Sequence, residues 1–218
     1  MKVFHYAQPE DLLTIMGKPG LTGAESGLVP NRCLARFPEE AFNLRVIFAF
    51  LEPLPRSWTH NSCFPDAWEI FLRDKADRAL LEIEVERKNP NIFVVDWAHR
   101  ESYWQDRRRR LDPQRFQCIS ETASRKAYFE SKILLDIYLK REAELSYSLP
   151  EVIIAERVPP ERLELSREQP LLEKIFDIHK EETREELLRE LSGFSLLRGW
   201  VSRKQQELVT AGGRERNF

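Results

Sequence analysis

The run Ala79-Leu-Leu-Glu-Ile-Glu-Val-Glu86 alternates apolar and acidic positions. Leu81, Ile83 and Val85 fall on one face and Glu82, Glu84 and Glu86 on the other, which predicts a half-exposed strand. Leu44–Leu51 (LRVIFAFL) is nearly continuous in β-formers and reads as a buried strand. Val3–Tyr6, Asn91–Asp96 and Glu151–Ala155 are further short apolar runs of strand type, and Pro159-Pro160 closes the last of them. Helical spacing appears elsewhere. Pro9–Met16 forms a turn or two, with Pro9 at a first helical position and Leu12, Leu13, Ile15 and Met16 on one side. Asp66–Lys75 carries Asp66 as N-cap before Trp68, Ile70, Phe71 and Leu72.

Glu121–Leu145 reads as one long amphipathic helix through Ala127, Ile133, Leu134, Ile137, Tyr138 and Leu145. From Gln169 to about Val209 the spacing is helical again, with a break at Ser192-Gly193. Strands and helices are mixed without regular βα alternation. The expected fold is therefore α+β: a split antiparallel β-sheet core flanked by helices, with a helical C-terminal extension. The expected organisation is a domain over residues 1–165, a helical extension over 166–210 and a frayed tail over 211–218. Four glycines between Gly17 and Gly27 mark a turning segment, read either as a surface loop or as a drape over a ligand.

Composition narrows the classes. The chain has 218 residues, with 34 Lys+Arg against 36 Asp+Glu and a net charge of -2. Overall charge does not drive it onto nucleic acid or membrane, so any such contact needs a local patch. No apolar run reaches a membrane-spanning length, and the start lacks the build of a signal peptide. Cys33, Cys63 and Cys118 are odd in number and widely spaced, which argues against a disulfide scaffold or a zinc site and for a reducing cytoplasm.

The first chemical candidates are His5, within Val3-Phe4-His5-Tyr6, and Glu151, which opens a buried strand just after Pro150. Val152–Ile154 supply that strand's core side chains, so the carboxylate is placed for another purpose, and Pro150 fixes the backbone before it. A core histidine and a solvated strand-opening acid are the alternative readings.

Three stretches together resemble a known superfamily. They are Val3-Phe4-His5-Tyr6 with Asp11–Met16 and Gly27-Leu28-Val29-Pro30, then Ala79–Glu86, then Leu149–Ile154 with Val158-Pro159-Pro160-Glu161-Arg162-Leu163. Their order is similar to that of ADP-ribosyltransferases of the diphtheria-toxin-like (His-Tyr-Glu) branch. The toxin–antitoxin DNA ADP-ribosyltransferases (the DarT group) share this layout. The resemblance implies a glycosyltransferase that uses NAD as substrate and modifies a macromolecular acceptor, as a bacterial toxin or defence effector does. It implies Glu151 as catalytic carboxylate and His5 as a ligand of the adenosine-side ribose. It sets Phe48 at the family's middle tyrosine and leaves Trp58 to stack on the nicotinamide. Tyr6 stands where the family has a small residue, and would crowd the ribose or stack on it. Leu149 replaces the acidic or amide residue of the arginine-modifying branch, which disfavours arginine as acceptor. Arg141–Ser148 would be the acceptor-recognising loop, with Tyr147 and Ser148 suited to a base or side chain.

Other patterns compete. Pro65-Asp66 followed by Glu86-Arg87-Lys88 satisfies a PD…ExK nuclease spacing, in which Asp66 and Glu86 hold Mg²⁺ and Lys88 helps to activate water. The run Arg107, Arg108, Arg109 and Arg110, with Trp97, His99, Tyr103 and Trp104 before it, is a candidate nucleic-acid contact or a solvated charge cluster. Asp177, His179 and Glu181 have no convincing metal geometry, and no metal site is expected. A third reading makes the C-terminal helices a partner-binding module, for an antitoxin or a second copy of the chain.

Overall fold

The computed structural model describes residues 1–23, 46–60, 67–75, 77–100, 121–178 and 180–214. The seven strands among them are β1 (Lys2–Ala7), β2 (Ile47–Ala49), β3 (Ala79–Glu84), β4 (Ile92–Asp96), β5 (Ile133–Leu134), β6 (Pro150–Ile154) and β7 (Leu163–Leu165). The helices are α1 (Leu12–Met16), α2 (Arg56–Thr59), α3 (Ala67–Lys75), α4 (Glu121–Glu130), α5 (Leu135–Arg141), α6 (Pro170–Ile178), α7 (Glu181–Ser192) and α8 (Arg198–Arg214). The fold is α+β, with antiparallel sheets and helices at the C-terminal end.

The described strands form two sheets, ordered β1-β3-β7 and β2-β6-β4-β5. They meet where Phe4 and Phe50 exchange two backbone hydrogen bonds of 2.8 Å. The strands thus run β7-β3-β1-β2-β6-β4-β5 around a split between β1 and β2. Over Ala79–Glu86 the alternation holds at Leu81, Ile83 and Val85, which are buried, and at Glu84 and Glu86, which are exposed; on the acidic face Leu80 is buried and Glu82 half-buried, bonded by Lys2 and Ser166.

Both faces of this split sheet are covered. On one, Val3, Ile83, Ala49, Val152, Ile154 and Val94 pack with Leu135 and Tyr138 of α5. Farther along that face, Ala7, Ala79 and Leu81 meet Leu172, Phe176, Leu188, Leu191, Leu197, Trp200 and Val201 of the C-terminal segment. The opposite face carries Tyr6, Leu80 and Phe50 against Phe71 of α3 and Trp58 of α2, and Val95 and Ile153 against Tyr128 of α4. The apolar stripe of residues 166–210 is therefore spent on β1 and β3. A boundary at residue 165 separates elements but not hydrophobic cores.

The long helix expected over Glu121–Leu145 is broken. It stops at Glu130, and Ile133–Leu134 become the edge strand β5, with Val94 opposite Ile133 and Phe93 opposite Leu134. The backbone groups that leave the helix are taken up by the edge of β4, and the Ser131 hydroxyl accepts the Asp96 N–H at 2.9 Å. Pairing to a preformed edge outweighs the modest per-residue preference for continued helix. Leu163–Leu165 form a short strand on β3, and Gln169 extends its pairing, accepting from Leu80 N at 2.7 Å and donating to Leu80 O at 3.2 Å. The segment expected to fray from residue 211 is helical as far as Arg214. The C-terminal helical region also breaks between Ile178 and Glu181, in addition to the expected break at Ser192-Gly193.

Candidate functional site

Glu151 sits at the start of β6, opposite Val95 of β4. The β2–β6 register, run one step beyond Ala49–Val152, sets Phe50 on its other side. Leu149 N donates to the Asp96 carboxylate at 2.8 Å and Ser148 N at 3.0 Å, while Trp97 N donates to Leu149 O at 2.9 Å. The backbone before Glu151 is thus held on both sides.

The Glu151 side chain is only 7% exposed. Tyr128, itself buried, donates its hydroxyl to Glu151 Oε2 at 2.8 Å. The Trp97 ring meets the Tyr128 ring edge-on at 5.8 Å, and Trp58 lies roughly parallel to Trp97 at 6.5 Å. Burial disfavours the ionised form and pushes the Glu151 carboxyl up to about 7. The Tyr128 hydrogen bond and the charge of Lys75 act the other way and limit the rise. A carboxyl that titrates near neutrality in an apolar enclosure suits proton transfer or charge stabilisation.

His5 lies on β1, at the split. Its ring reaches across to β2, where Nδ1 meets the Phe48 carbonyl at 2.7 Å. Burial drives its pKa down to about 4, with smaller contributions in the same direction from Lys75 and Arg78, opposed by the Phe48 hydrogen bond. The imidazole is therefore neutral at pH 7. A carbonyl only accepts, so Nδ1 carries the proton and Nε2 keeps a lone pair. Phe4, Phe50, Glu151 and Val95 form one cross-strand row on the aromatic face, whereas the parity of β1 sets His5 with Val3 and Ala7 on the opposite face. Its ring bridges the split to reach the Phe48 backbone. Lys75, at the end of α3, bears electrostatically on both His5 and Glu151.

The tertiary structure thus gathers the strands of His5, Phe48 and Glu151 as consecutive neighbours, β1, β2 and β6. Other expected site residues serve differently. Phe48 contributes its carbonyl, and its ring is half-buried beside Val95, Tyr128 and Ile153. Tyr6 is core: its ring packs edge-to-face on Phe71 at 5.6 Å and on Phe50 at 6.3 Å, and its hydroxyl donates to Pro53 O. The alternation of β1 turns Tyr6 onto the aromatic face, so it neither crowds nor stacks on a ligand in this arrangement. Trp58 is 5% exposed, wedged among Phe50, Phe71 and Trp97. Its ring faces are covered, so a stacking role would require this cluster to open. Tyr147 donates its hydroxyl to Ser131 O, a structural bond within the segment expected to recognise the acceptor.

Arg107, Arg108, Arg109 and Arg110 lie outside the described residues, as do Asp66, His179, Gly27-Leu28-Val29-Pro30 and the three cysteines. Glu86 and Lys88 are exposed in the turn after β3 rather than on a strand. Among the described residues no group of His, Cys, Asp and Glu is placed to hold a metal ion. No helix among them is long and apolar enough to cross a membrane.

Tyr128 and Asp96 are the functional candidates that pattern reading missed. Tyr128 falls within an expected amphipathic helix, and Asp96 reads as a surface acid beside an arginine run. Comparison of the chain with family models, with curated proteins and with solved structures returned no match.

Proposed function

We propose that the protein transfers ADP-ribose from NAD to a macromolecular acceptor, with Glu151 as the catalytic carboxylate and His5 as a ribose ligand. The single observation that carries this reading is the buried Glu151 carboxyl at the mouth of β6, bonded by Tyr128; the ribose role of His5, whose parity sets it on the other face of the sheet, is taken from the resemblance alone. In the reaction the bond between the nicotinamide nitrogen and the ribose carbon breaks, and its electron pair leaves with neutral nicotinamide. Positive charge builds on the sugar. An ionised Glu151 stabilises that charge more than it stabilises intact NAD, and so lowers the barrier. A nucleophile of the acceptor then bonds to the sugar carbon and gives up its proton to water. His5 Nε2, with its lone pair, suits acceptance of a ribose hydroxyl proton in a hydrogen bond.

Nucleic acid is the preferred acceptor over protein, on the strength of Leu149 before the catalytic position and of the arginine run Arg107–Arg110. A cytoplasmic toxin or defence effector fits this chemistry, with an antitoxin as a partner. The competing nuclease reading gains no support from Glu86 and Lys88, which are exposed in a turn.

The test is incubation of the purified chain with NAD labelled in the nicotinamide, with and without DNA, RNA or protein acceptors. Nicotinamide release should depend on Glu151, and fall on the order of 10²–10³-fold in Glu151→Ala. Unchanged release in Glu151→Ala, or Mg²⁺-dependent DNA cleavage lost in Lys88→Ala, would overturn the assignment.

A further inference from the structure

Glu151 does not hold its position alone. Tyr128 comes from α4, which the sequence separates from β6 by a helix end, an edge strand and another helix. A closed ring of hydrogen bonds ties the two together. The Tyr128 hydroxyl donates to Glu151 Oε2 at 2.8 Å, and the Tyr128 carbonyl accepts from Ser131 Oγ at 2.6 Å. Ser131 Oγ in turn accepts the Asp96 N–H at 2.9 Å. The Asp96 side chain closes the ring, accepting from Leu149 N and Ser148 N, next to Pro150 and Glu151. It also takes Ala98 N at 3.0 Å. Asp96 is 5% exposed and Tyr128 4% exposed, and the bonds from Tyr128 to Glu151 and from Leu149 to Asp96 are buried, where a lost donor is not readily replaced by water.

We propose that Tyr128 is a positioning residue for Glu151: its hydroxyl fixes Oε2 and leaves Oε1 as the oxygen presented to the reacting sugar. The identity of what Oε1 meets rests on the ADP-ribosyl-transfer reading, whereas the pairing of Tyr128 with Glu151 rests on the fold. Two consequences follow. A fixed carboxylate loses less freedom as charge develops opposite it, so the interaction raises kcat more than it lowers KM. A donor to the carboxylate also favours its ionised form, so Tyr128 keeps Glu151 usable near neutral pH against the effect of burial.

The experiment titrates Glu151 directly, by carboxyl ¹³C NMR of the full chain, in wild type, Tyr128→Phe and Tyr138→Phe. Tyr138 packs on the other face of the sheet with its hydroxyl bonded to Glu142, and controls for loss of a tyrosine hydroxyl that does not touch Glu151. The Glu151 midpoint should rise by about one unit or more in Tyr128→Phe and stay in place in Tyr138→Phe. With NAD, kcat at pH 7 should fall by roughly tenfold in Tyr128→Phe while KM changes by less than about twofold, and the pH–kcat limb should move up with the NMR midpoint. An unmoved midpoint, or a loss expressed in KM alone, overturns the proposal. If Tyr128→Phe does not fold, wild type carrying tyrosine labelled at Cζ decides. The Tyr128 Cζ resonance should shift with the Glu151 midpoint and go flat in Glu151→Gln, and a resonance indifferent to pH in wild type overturns the proposal. Absence of nicotinamide release in wild type would remove the transferase reading and leave the NMR result to judge the pairing by itself.

Discussion

The carboxylate of Asp96 accepts the amide of Leu149 at 2.8 Å, fastening the end of β4 to the residue two places before Glu151. The same carboxylate takes the amides of Ser148 and Ala98, so one buried side chain satisfies three backbone donors. Its loss would strip the buried Leu149 and Ala98 amides of this acceptor. Asp96→Ala should cost about 3 kcal/mol, and lower the melting temperature by roughly 6–12 °C. Thermal unfolding followed by calorimetry checks this, and a change under about 2 °C would show that the turn holds without Asp96.

Glu151 destabilises the fold once ionised. Its carboxyl is raised from 4.5 to about 7, so between those values the folded chain binds more protons than the unfolded one. Stability attributable to this group is full below about pH 4.5 and is lost as pH rises through about 7. Glu151→Gln should therefore be more stable than wild type at pH 8, by about 2–4 kcal/mol, with the advantage vanishing near pH 4. Urea unfolding at both pH values measures it. Activity moves oppositely, since nicotinamide release in wild type should climb as pH passes about 7 and the carboxylate forms.

His5 gives the acid limb. Its pKa falls from 6.5 to about 4 on folding, so over that range the unfolded chain binds more protons, and stability rises with pH. Acidification from pH 6.5 towards 4 should cost the wild type about 2 kcal/mol through this residue. His5→Asn keeps an N–H for the Phe48 carbonyl and cannot titrate, so its stability relative to wild type should improve by about 2 kcal/mol as pH falls from 6.5 to 4.5, the opposing Glu151 titration being common to both chains. Denaturant melts at pH 4.5 and 6.5 compare the slopes, and equal slopes would mean that His5 is not buried neutral.

The C-terminal helices are part of the core. Phe176 and Trp200 pack edge-to-face at 6.1 Å, and Trp200 Nε1 donates to Glu173 at 2.7 Å. Lys204 bonds the same Glu173, and its ammonium lies over the Phe176 ring, 5.3 Å from the centroid. Phe176→Ala should cost about 3–5 kcal/mol. Truncation after Leu165 should leave Ala7 and Leu81 uncovered, giving an aggregating or molten chain rather than a folded domain that has lost only a partner. Circular dichroism and size-exclusion chromatography of residues 1–165 test this, and a monomeric, cooperatively melting fragment would refute it.

Binary patterning alone determined much of the fold. The alternation of β3 and the apolar runs of β1, β4 and β6 state which side chains must leave water, and a sheet is the arrangement that buries them. The same text marked His5 and Glu151, because a histidine within an apolar strand and an acid opening another are not needed for burial. What it could not state was any relation between distant segments. Ile133 and Leu134 suit a helix as well as a strand, and only the open edge of β4 decided between them. Tyr6 and Trp58 are as fit for a ligand as for a core, and packing on Phe50 and Phe71 decided for the core. Tyr128 and Asp96 acquire their roles solely from what lies across the space between α4, β4 and β6. Local preference is written residue by residue, whereas a hydrogen bond between chain-distant groups exists only after the hydrophobic layers have set their distance.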